Sequence, residues 1–309
     1  MKAIVVTQNG GPEVLELRDM PAPEPGPEDL LVDVAVAGVN FRDIYERRGG
    51  YGPPPPIVAG IEGMGRVAVA AGEFDVGERV AWNNAAGSYA EQVAVPAAKA
   101  VPVPNGVDDE LACAALLQGM TAHYLATSTY PIQAGDEVLV HAAAGGVGRL
   151  LVQMAKMRGA RVTATTSGGE KEELARSAGA DEVIGYDDVP EGRFAAVYDG
   201  VAQATFDRSL AALRPRGVLA LYGAASGPVP PFEITRLNAG STFLTRPTLL
   251  HYVLTREELL WRAGEVYAWV ADGALDVRIG GRYPLEEARQ AQEDLESRRS
   301  TGKLLLAVG

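Results

Sequence analysis

A segment rich in small residues has the residue types and spacing of a cofactor site. His141-Ala142-Ala143-Ala144-Gly145-Gly146-Val147-Gly148 follows a buried-looking strand and precedes a predicted helix. In a dinucleotide fingerprint, such a turn lets the backbone approach a pyrophosphate and points helix N–H groups at it. The first glycine of G-x-G-x-x-G is absent, because Ala143 occupies its place. The alternative is a strand-to-helix turn that packs tightly and binds nothing. We favour a nucleotide site formed by Ala144, Gly145, Gly146, Val147 and Gly148.

The end of the next strand indicates which nucleotide is preferred. About 20 residues beyond the glycines, an NAD site places Asp or Glu against the ribose hydroxyl. Here that strand ends in Thr165-Thr166-Ser167 without a carboxylate, and Lys171 follows. Hydroxyls and a cation suit a 2′-phosphate, so NADPH is preferred over NADH. Lys171 could instead be a solvated lysine at a helix start, although a cation there opposes the helix dipole.

The elements that must position these residues follow two different patterns. Before about Asp108 the chain alternates as an antiparallel sheet does, with Val32, Val34 and Val36 on one face of a strand. After it, short apolar strands alternate with helices, which predicts a parallel, doubly wound sheet. Strands are predicted at Leu30–Asn40, Gly77–Trp82, Ala90–Val95, Glu137–Ala142, Arg161–Thr166, Phe194–Tyr198, Val218–Tyr222 and Lys303–Val308. Helices are predicted at Asp108–Ser128, Val147–Arg158 and Glu170–Ala178, with two more beyond about Thr248.

Length and composition limit the class of protein. At 309 residues, with 47% hydrophobic and 22% charged residues, the chain should form about two globular domains. The net charge of −12 would repel a polyanion, so nucleic acid is an unfavourable partner. No apolar run reaches the roughly 18 residues that a membrane span needs. The apolar run at the N-terminus is too short for the hydrophobic region of a signal peptide. We therefore expect a soluble, cytoplasmic protein with no membrane partner.

The metal-binding residue types are too few and too scattered for a metal site. Cys113 is the lone cysteine, which excludes an intrachain disulfide and a cysteine-cluster zinc site. His123, His141 and His251 have no carboxylate or cysteine partner at ligand spacing, so we expect core or surface histidines and no metal.

Motifs spread over nearly the whole chain point to one family. They are Gly38–Tyr45 (GVNFRDIY), Gln118–Tyr124 (QGMTAHY), His141–Gly148, Thr245–Pro247, Tyr252 with Thr255–Leu259, and Glu296–Arg298 leading to Gly302. In these segments the chain resembles the zinc-independent medium-chain dehydrogenase/reductases, most of all the NADPH:quinone oxidoreductases of the zeta-crystallin-like group. Zinc-bearing relatives carry a cysteine near the position of Asn40 and a histidine at the position of Ile61, beside the matching Glu62.

The resemblance implies an α/β protein with a mostly-β, GroES-like catalytic domain and a Rossmann nucleotide-binding domain. The catalytic domain would comprise residues 1–120 and 250–309, and the NADP-binding domain residues 121–249. The resemblance also implies a homodimer formed through the nucleotide domain. The family's cofactor residues correspond here to Thr121 near the nicotinamide, Thr166, Ser167, Lys171 and Tyr186 at the adenosine end, and Arg298 or its neighbour Arg299 closing over the cofactor.

For the chemistry, the resemblance implies hydride transfer from NADPH to a quinone or another electron-poor carbonyl, without a metal. Asn40 and Tyr45 would donate hydrogen bonds to the acceptor carbonyl, and Tyr51 would form an aromatic wall. Without the resemblance, turn stabilisation and core packing would be the preferred roles of these residues. Two alternatives stay open: a reductase of enoyl compounds or 2-alkenals in the same superfamily, with Tyr45 as the proton donor, and an NADPH-binding redox sensor without turnover.

Overall fold

The two ends of the chain fold into one unit, and the middle of the chain forms a second. The computed structural model describes residues 1–50 and 52–309. Unit 1 comprises Met1–Leu117 and Thr255–Gly309, and unit 2 comprises Gln118–Leu254. Within the described residues, no helix is long and apolar enough to cross a membrane.

The first part of unit 1 is made mostly of strands. They are β1 (Lys2–Val6), β2 (Leu15–Asp19), β3 (Asp29–Val39), β4 (Ile57–Val58), β5 (Gly63–Val69), β6 (Arg79–Trp82), β7 (Gln92–Pro96) and β8 (Val101–Pro102). A short helix, α1 (Phe41–Arg47), follows β3, and α2 (Asp109–Tyr124) leads into unit 2. The predicted alternation in β3 is confirmed near its start, where Val32 and Val34 are buried and Asp33 is exposed. It stops beyond a bulge at Val34–Val36, after which both faces of the strand are buried.

Unit 2 is a parallel sheet flanked by helices. Its strands are β9 (Glu137–Val140), β10 (Arg161–Thr165), β11 (Glu182–Ile184), β12 (Phe194–Asp199), β13 (Leu213–Leu221) and β14 (Phe243–Thr245). Its helices are α3 (Gly146–Met157), α4 (Glu170–Ser177) and α5 (Phe206–Ala211). The strand order is β11-β10-β9-β12-β13-β14, and the pairs are parallel. The predicted doubly wound sheet is confirmed, and the order changes direction between β9 and β12.

The C-terminal part of the chain completes unit 1. It contributes α6 (Arg256–Ala271), β15 (Ile279–Pro284), α7 (Ala288–Glu296) and β16 (Lys303–Ala307). The main sheet of this unit has the order β15-β16-β3-β5-β6-β8, with β7 also paired to β3. The predicted last strand is therefore confirmed, and it pairs antiparallel with β3 through Leu304 and Val39. This pairing brings the C-terminal strand beside the residue that precedes Asn40.

Candidate active site

The glycine-rich turn joins β9 to α3 in unit 2. Gly148 lies in the first turn of α3, where a Cβ atom would come within 2.4 Å of the Ala142 carbonyl oxygen. Gly145 precedes the helix and donates its N–H to the same carbonyl, at 2.9 Å. The backbone N–H groups of the first helical turn have no acceptor within the helix, so they can bind an anion.

The missing first glycine of the fingerprint has a local explanation. Ala142, one residue earlier, takes the left-handed backbone conformation with φ of 50°. Ala143 keeps a negative φ, is fully buried, and donates its N–H to the Thr165 carbonyl at 3.1 Å. Ala143 therefore needs neither the freedom nor the small size of glycine. Ala144, which follows, is also buried, whereas Gly146 and Val147 are half-buried.

Hydroxyl side chains, rather than a carboxylate, directly follow β10. Thr166 is buried, and its Oγ1 accepts a hydrogen bond from Gly168 N at 3.1 Å. Ser167 is exposed in the loop that leads to α4. Lys171 is half-buried and is the second residue of α4, whose first turn also carries Glu170, Glu172 and Glu173. The cation thus stands among acidic side chains, which limits what it can contribute to phosphate binding.

Two further predicted cofactor residues lie in unit 2. Tyr186 begins a short turn after β11, and its ring stacks on His141 with the ring centroids 5.8 Å apart and the planes at 16°. Thr121 is a buried residue of α2. The structure thus brings Tyr186, the glycine turn and the hydroxyls that follow β10 to the carboxyl ends of adjacent strands of one sheet. Arg298 belongs to unit 1, where it is exposed just after α7 with a left-handed φ of 56°.

Asn40 directly precedes α1 in unit 1, and its side chain is fully engaged within that unit. Asn40 Nδ2 donates to Gly38 O at 3.1 Å and to Glu62 Oε2 at 2.9 Å. Asn40 Oδ1 accepts from Lys303 Nζ at 2.7 Å. Both amide hydrogens are therefore bonded internally, instead of being available to a substrate carbonyl. To act as a donor, Asn40 would have to release one of these acceptors.

Behind Asn40 lies an ion pair that sequence reasoning missed. Lys303 and Glu62 are both fully buried and are hydrogen-bonded to each other. Glu62 Oε1 also accepts from Leu117 N at 2.9 Å. Removing one partner would leave an uncompensated buried charge, a change that typically costs about 3–5 kcal/mol. The available signal was a single lysine at the head of the apolar strand Lys303–Ala307.

Asp43, in the first turn of α1, is a second buried ionisable group. Its Oδ2 accepts from Asn40 N at 2.8 Å and from the Tyr89 hydroxyl at 2.7 Å. Its Oδ1 is buried and has no hydrogen-bond partner among the described residues. Burial raises the pKa of Asp43 to about 7, an effect that the hydrogen bonds from Tyr89 and Asn40 only partly oppose. Asp43 can therefore hold a proton near neutral pH.

Tyr45 lies on the same helix and is half-buried, with its ring centroid 6.2 Å from that of Phe41. The structure therefore brings Asn40 and Tyr45 together on one short segment. Tyr51, the third predicted catalytic residue, lies outside the described residues.

The metal-binding residue types remain separate. Across residues 1–50 and 52–309, no group of three or more His, Cys, Asp or Glu side chains is placed to hold a metal ion. His123 and His141 are buried, His251 is exposed, and the Cys113 thiol is buried.

The chain matches known proteins along nearly its whole length. Residues 26–105 match the family model of the alcohol dehydrogenase GroES-like domain, and residues 146–263 match that of zinc-binding dehydrogenases. A quinone oxidoreductase of Pseudomonas aeruginosa is 39% identical over an alignment of 322 positions that covers 99% of each chain. The chain belongs to the zinc-independent quinone oxidoreductase family. The resemblance drawn from the motifs is thereby confirmed.

Solved structures of this family share the fold. A mycobacterial protein solved in complex with NADPH is 46% identical, with a TM-score of 0.96 and coverage of 100% of both chains. The Escherichia coli quinone oxidoreductase, solved in complex with NADPH, is 34% identical with a TM-score of 0.95, again over 100% of both chains. The predicted fold class, a GroES-like domain with a Rossmann domain, is confirmed for this quinone oxidoreductase family member.

Proposed function

We propose that this protein is an NADPH-dependent quinone oxidoreductase that transfers hydride to a quinone without a metal. The observation that carries the proposal is the segment directly after β10, where Thr166 and Ser167 stand in place of a ribose-binding carboxylate and Lys171 follows. The curated relative from Pseudomonas aeruginosa is named a quinone oxidoreductase, and both similar solved structures contain NADPH. The residues present in unit 2 fit this cofactor.

Two parts of unit 2 suit the phosphate groups of NADPH. The N–H groups at the start of α3 form an anion site. Because Gly148 has no side chain, the preceding loop can lie close to the helix. We assign the pyrophosphate to the segment Ala144–Gly148. At the adenosine end we assign the 2′-phosphate to Thr166, Ser167 and Lys171, with Tyr186 beside the base or ribose.

At the reacting end, we propose a role for each residue separately. When bound, NADPH supplies a hydride to an electron-poor acceptor. We propose that Tyr45 donates a hydrogen bond to the acceptor carbonyl, that Tyr51 packs against the acceptor, and that Thr121 contacts the nicotinamide side of the cofactor. For Asn40 we propose a positioning role instead of hydrogen-bond donation to the substrate, because its amide is bonded within unit 1. It fixes the start of α1 and so orients Tyr45. Arg298, exposed after α7, is proposed to contact a cofactor phosphate.

We also propose that the protein is a cytoplasmic homodimer formed through unit 2. Strand β14 lies at one edge of the parallel sheet, where its outer backbone groups can pair with a second strand. Phe243 on this strand is 59% exposed, and an apolar side chain on an open edge is suited to burial against a second copy.

The test is an NADPH-oxidation screen with the purified protein. Acceptors are phenanthrenequinone, p-benzoquinone and a series of 2-alkenals, and NADPH binding is measured separately by fluorescence titration. We expect NADPH oxidation with the quinones. Turnover of alkenals alone would contradict the quinone assignment and favour the alkenal reductase. Saturable binding without oxidation by any acceptor would instead indicate a binding protein without turnover.

A further inference from the structure

A chain of buried polar side chains runs beneath the carboxyl ends of β9, β10 and β12. His141, Thr165, Asp199 and Ser209 each have 0% exposure. Thr165 Oγ1 lies 2.8 Å from His141 Nδ1, and His141 Nε2 lies 3.0 Å from Ser209 Oγ. Ser209 Oγ in turn donates to Asp199 Oδ2 at 2.7 Å. Four residues distant in sequence thus form one continuous chain of hydrogen bonds.

The carboxylate at the end of this chain sets the direction of each hydrogen bond. Asp199 accepts four: Val201 N at 2.8 Å and Ala202 N at 3.0 Å reach Oδ1, while Thr205 and Ser209 reach Oδ2, each at 2.7 Å. Because the single hydroxyl hydrogen of Ser209 goes to Asp199, its oxygen must accept from His141 Nε2. In a neutral ring, His141 Nδ1 then accepts from the Thr165 hydroxyl. Burial lowers the pKa of His141, which is consistent with a neutral ring protonated only at Nε2.

The same chain fixes two loops that carry backbone strain. Ala142, immediately after His141, has φ of 50°, and Ala202 has φ of 72°. Non-glycine residues seldom adopt this left-handed region, so the surroundings must hold these two alanines there. Ala202 N is held directly by Asp199, and Ala142 is joined to the chain through its neighbour His141.

Both loops lie where a dinucleotide binds in a doubly wound sheet. β9 and β12 are paired neighbours, with Val140 opposite Tyr198 at their carboxyl ends. They stand at the point where the strand order changes direction, beside which ligands of such sheets bind. The stacking of Tyr186 on His141 extends the contact to a residue assigned above to the adenosine end.

We propose that His141, oriented as the Nε2–H tautomer by Ser209 and Asp199, is a positioning residue that preorganises both loops for NADPH. The inference rests on the proposed NADPH-dependent function. A preorganised site binds more tightly because less ordering is left to the binding step. We therefore expect the effect in the Kd and KM for NADPH rather than in kcat.

The binding test compares variants that break the chain of hydrogen bonds with variants that keep it. Thr165→Val and Ser209→Ala each remove one hydroxyl, and each should raise the Kd for NADPH by about tenfold. Thr165→Ser keeps the hydroxyl and should stay within about twofold of the parent protein. Val197→Ala, at a fully buried apolar position of β12, is the matched control for lost stability. It should lower the melting temperature without a comparable rise in Kd.

The tautomer is tested separately by NMR of histidine labelled at its ring nitrogens, without any nucleotide. The protein has three histidines, so the signal that is lost in His141→Gln is assigned to His141. We expect the neutral Nε2–H form at neutral pH and a changed tautomer population in Ser209→Ala. An Nδ1–H ring or an imidazolium would overturn the proposal, as would an unchanged Kd in both chain-breaking variants. If the parent protein bound no NADPH, the proposed function would fail. The tautomer measurement would still decide the direction of the hydrogen bonds at His141.

Discussion

At the scale of single residues, Lys171 tests the preference for NADPH. We expect Lys171→Ala to raise the KM for NADPH by roughly fivefold and to leave that for NADH nearly unchanged. A partly exposed, charge-assisted contact to a phosphate contributes only ~1 kcal/mol, and NADH lacks that phosphate. The measurement is steady-state kinetics with both nucleotides at a saturating quinone concentration.

A second variant of α4 controls for the general loss of positive charge. Arg176 lies near the other end of this helix and pairs with Glu172 at 2.7 Å. Arg176→Ala should change neither KM. Equal increases for NADPH and NADH in Lys171→Ala would exclude a specific contact of Lys171 with the 2′-phosphate.

Asp43 should make the stability of the protein depend on pH. Its pKa is raised from the ordinary 3.8 to about 7, so the folded state retains a proton that the unfolded state releases between these values. The contribution of Asp43 to stability is therefore full below pH 3.8 and declines as the pH rises through about 7. The decline is at most roughly 4 kcal/mol.

The variant Asp43→Asn isolates this contribution. Its amide oxygen can still accept from Asn40 N and the Tyr89 hydroxyl, but the side chain does not titrate. We expect the unfolding free energy of the parent protein, relative to the variant, to fall as the pH is raised. Urea unfolding followed by circular dichroism from about pH 4 to about pH 8 measures it. If the unfolding free energies of the parent protein and of Asp43→Asn changed with pH in parallel, Asp43 would not be the source of the pH dependence.

At the scale of elements, Gly148 shows how a single side chain would displace a loop. Its Cβ would come within 2.4 Å of a backbone oxygen at Ala142, so in Gly148→Ala the β9–α3 turn must move. We expect a loss of about 1–3 kcal/mol in stability together with weaker NADPH binding. Thermal unfolding and fluorescence titration measure the two effects.

Gly264 provides the matched control within another helix. It lies in the interior of α6 and is exposed, and a Cβ atom at this position would meet no other atom within 4 Å. Gly264→Ala should therefore raise stability by about 0.5–1 kcal/mol, because alanine favours the helix. Loss of stability in both variants would mean that contact with Ala142 is not the decisive factor.

Elements with a regular local pattern were predictable from the sequence, whereas their long-range partners were not. The helix expected at Glu170–Ala178 is α4, and Gly179 after it takes φ of 103° as a C-terminal glycine does. By contrast, Lys303 Nζ and Asn40 Oδ1 are bonded across 263 residues, and His141 and Ser209 across 68. Such contacts depend on strand order and on which face of a strand is buried. The family resemblance made Asn40 a candidate, but nothing in the sequence revealed that its amide is engaged by Glu62 and Lys303.

At the scale of the whole molecule, the change from alternating strands to strand-helix repeats predicted two kinds of architecture within one chain. It could not predict which strands lie at the sheet edges, because an edge is defined by strand order. In unit 2 the edges are β11 and β14. They differ in character, since β11 is half-buried throughout and β14 carries the exposed ring of Phe243.

The proposed dimer predicts that this edge sets the oligomeric state. An aspartate at position 243 would place a charge on the apolar edge and oppose its burial. We therefore expect the parent protein to sediment with twice the mass of the chain and Phe243→Asp with the mass of one chain. Val76→Asp, at an exposed apolar position of unit 1, should remain a dimer. A parent protein that sediments as a monomer at micromolar concentration would refute the dimer. A Phe243→Asp protein that remains dimeric would move the interface away from β14, and NADPH oxidation measured on the same samples would show whether assembly and turnover are linked.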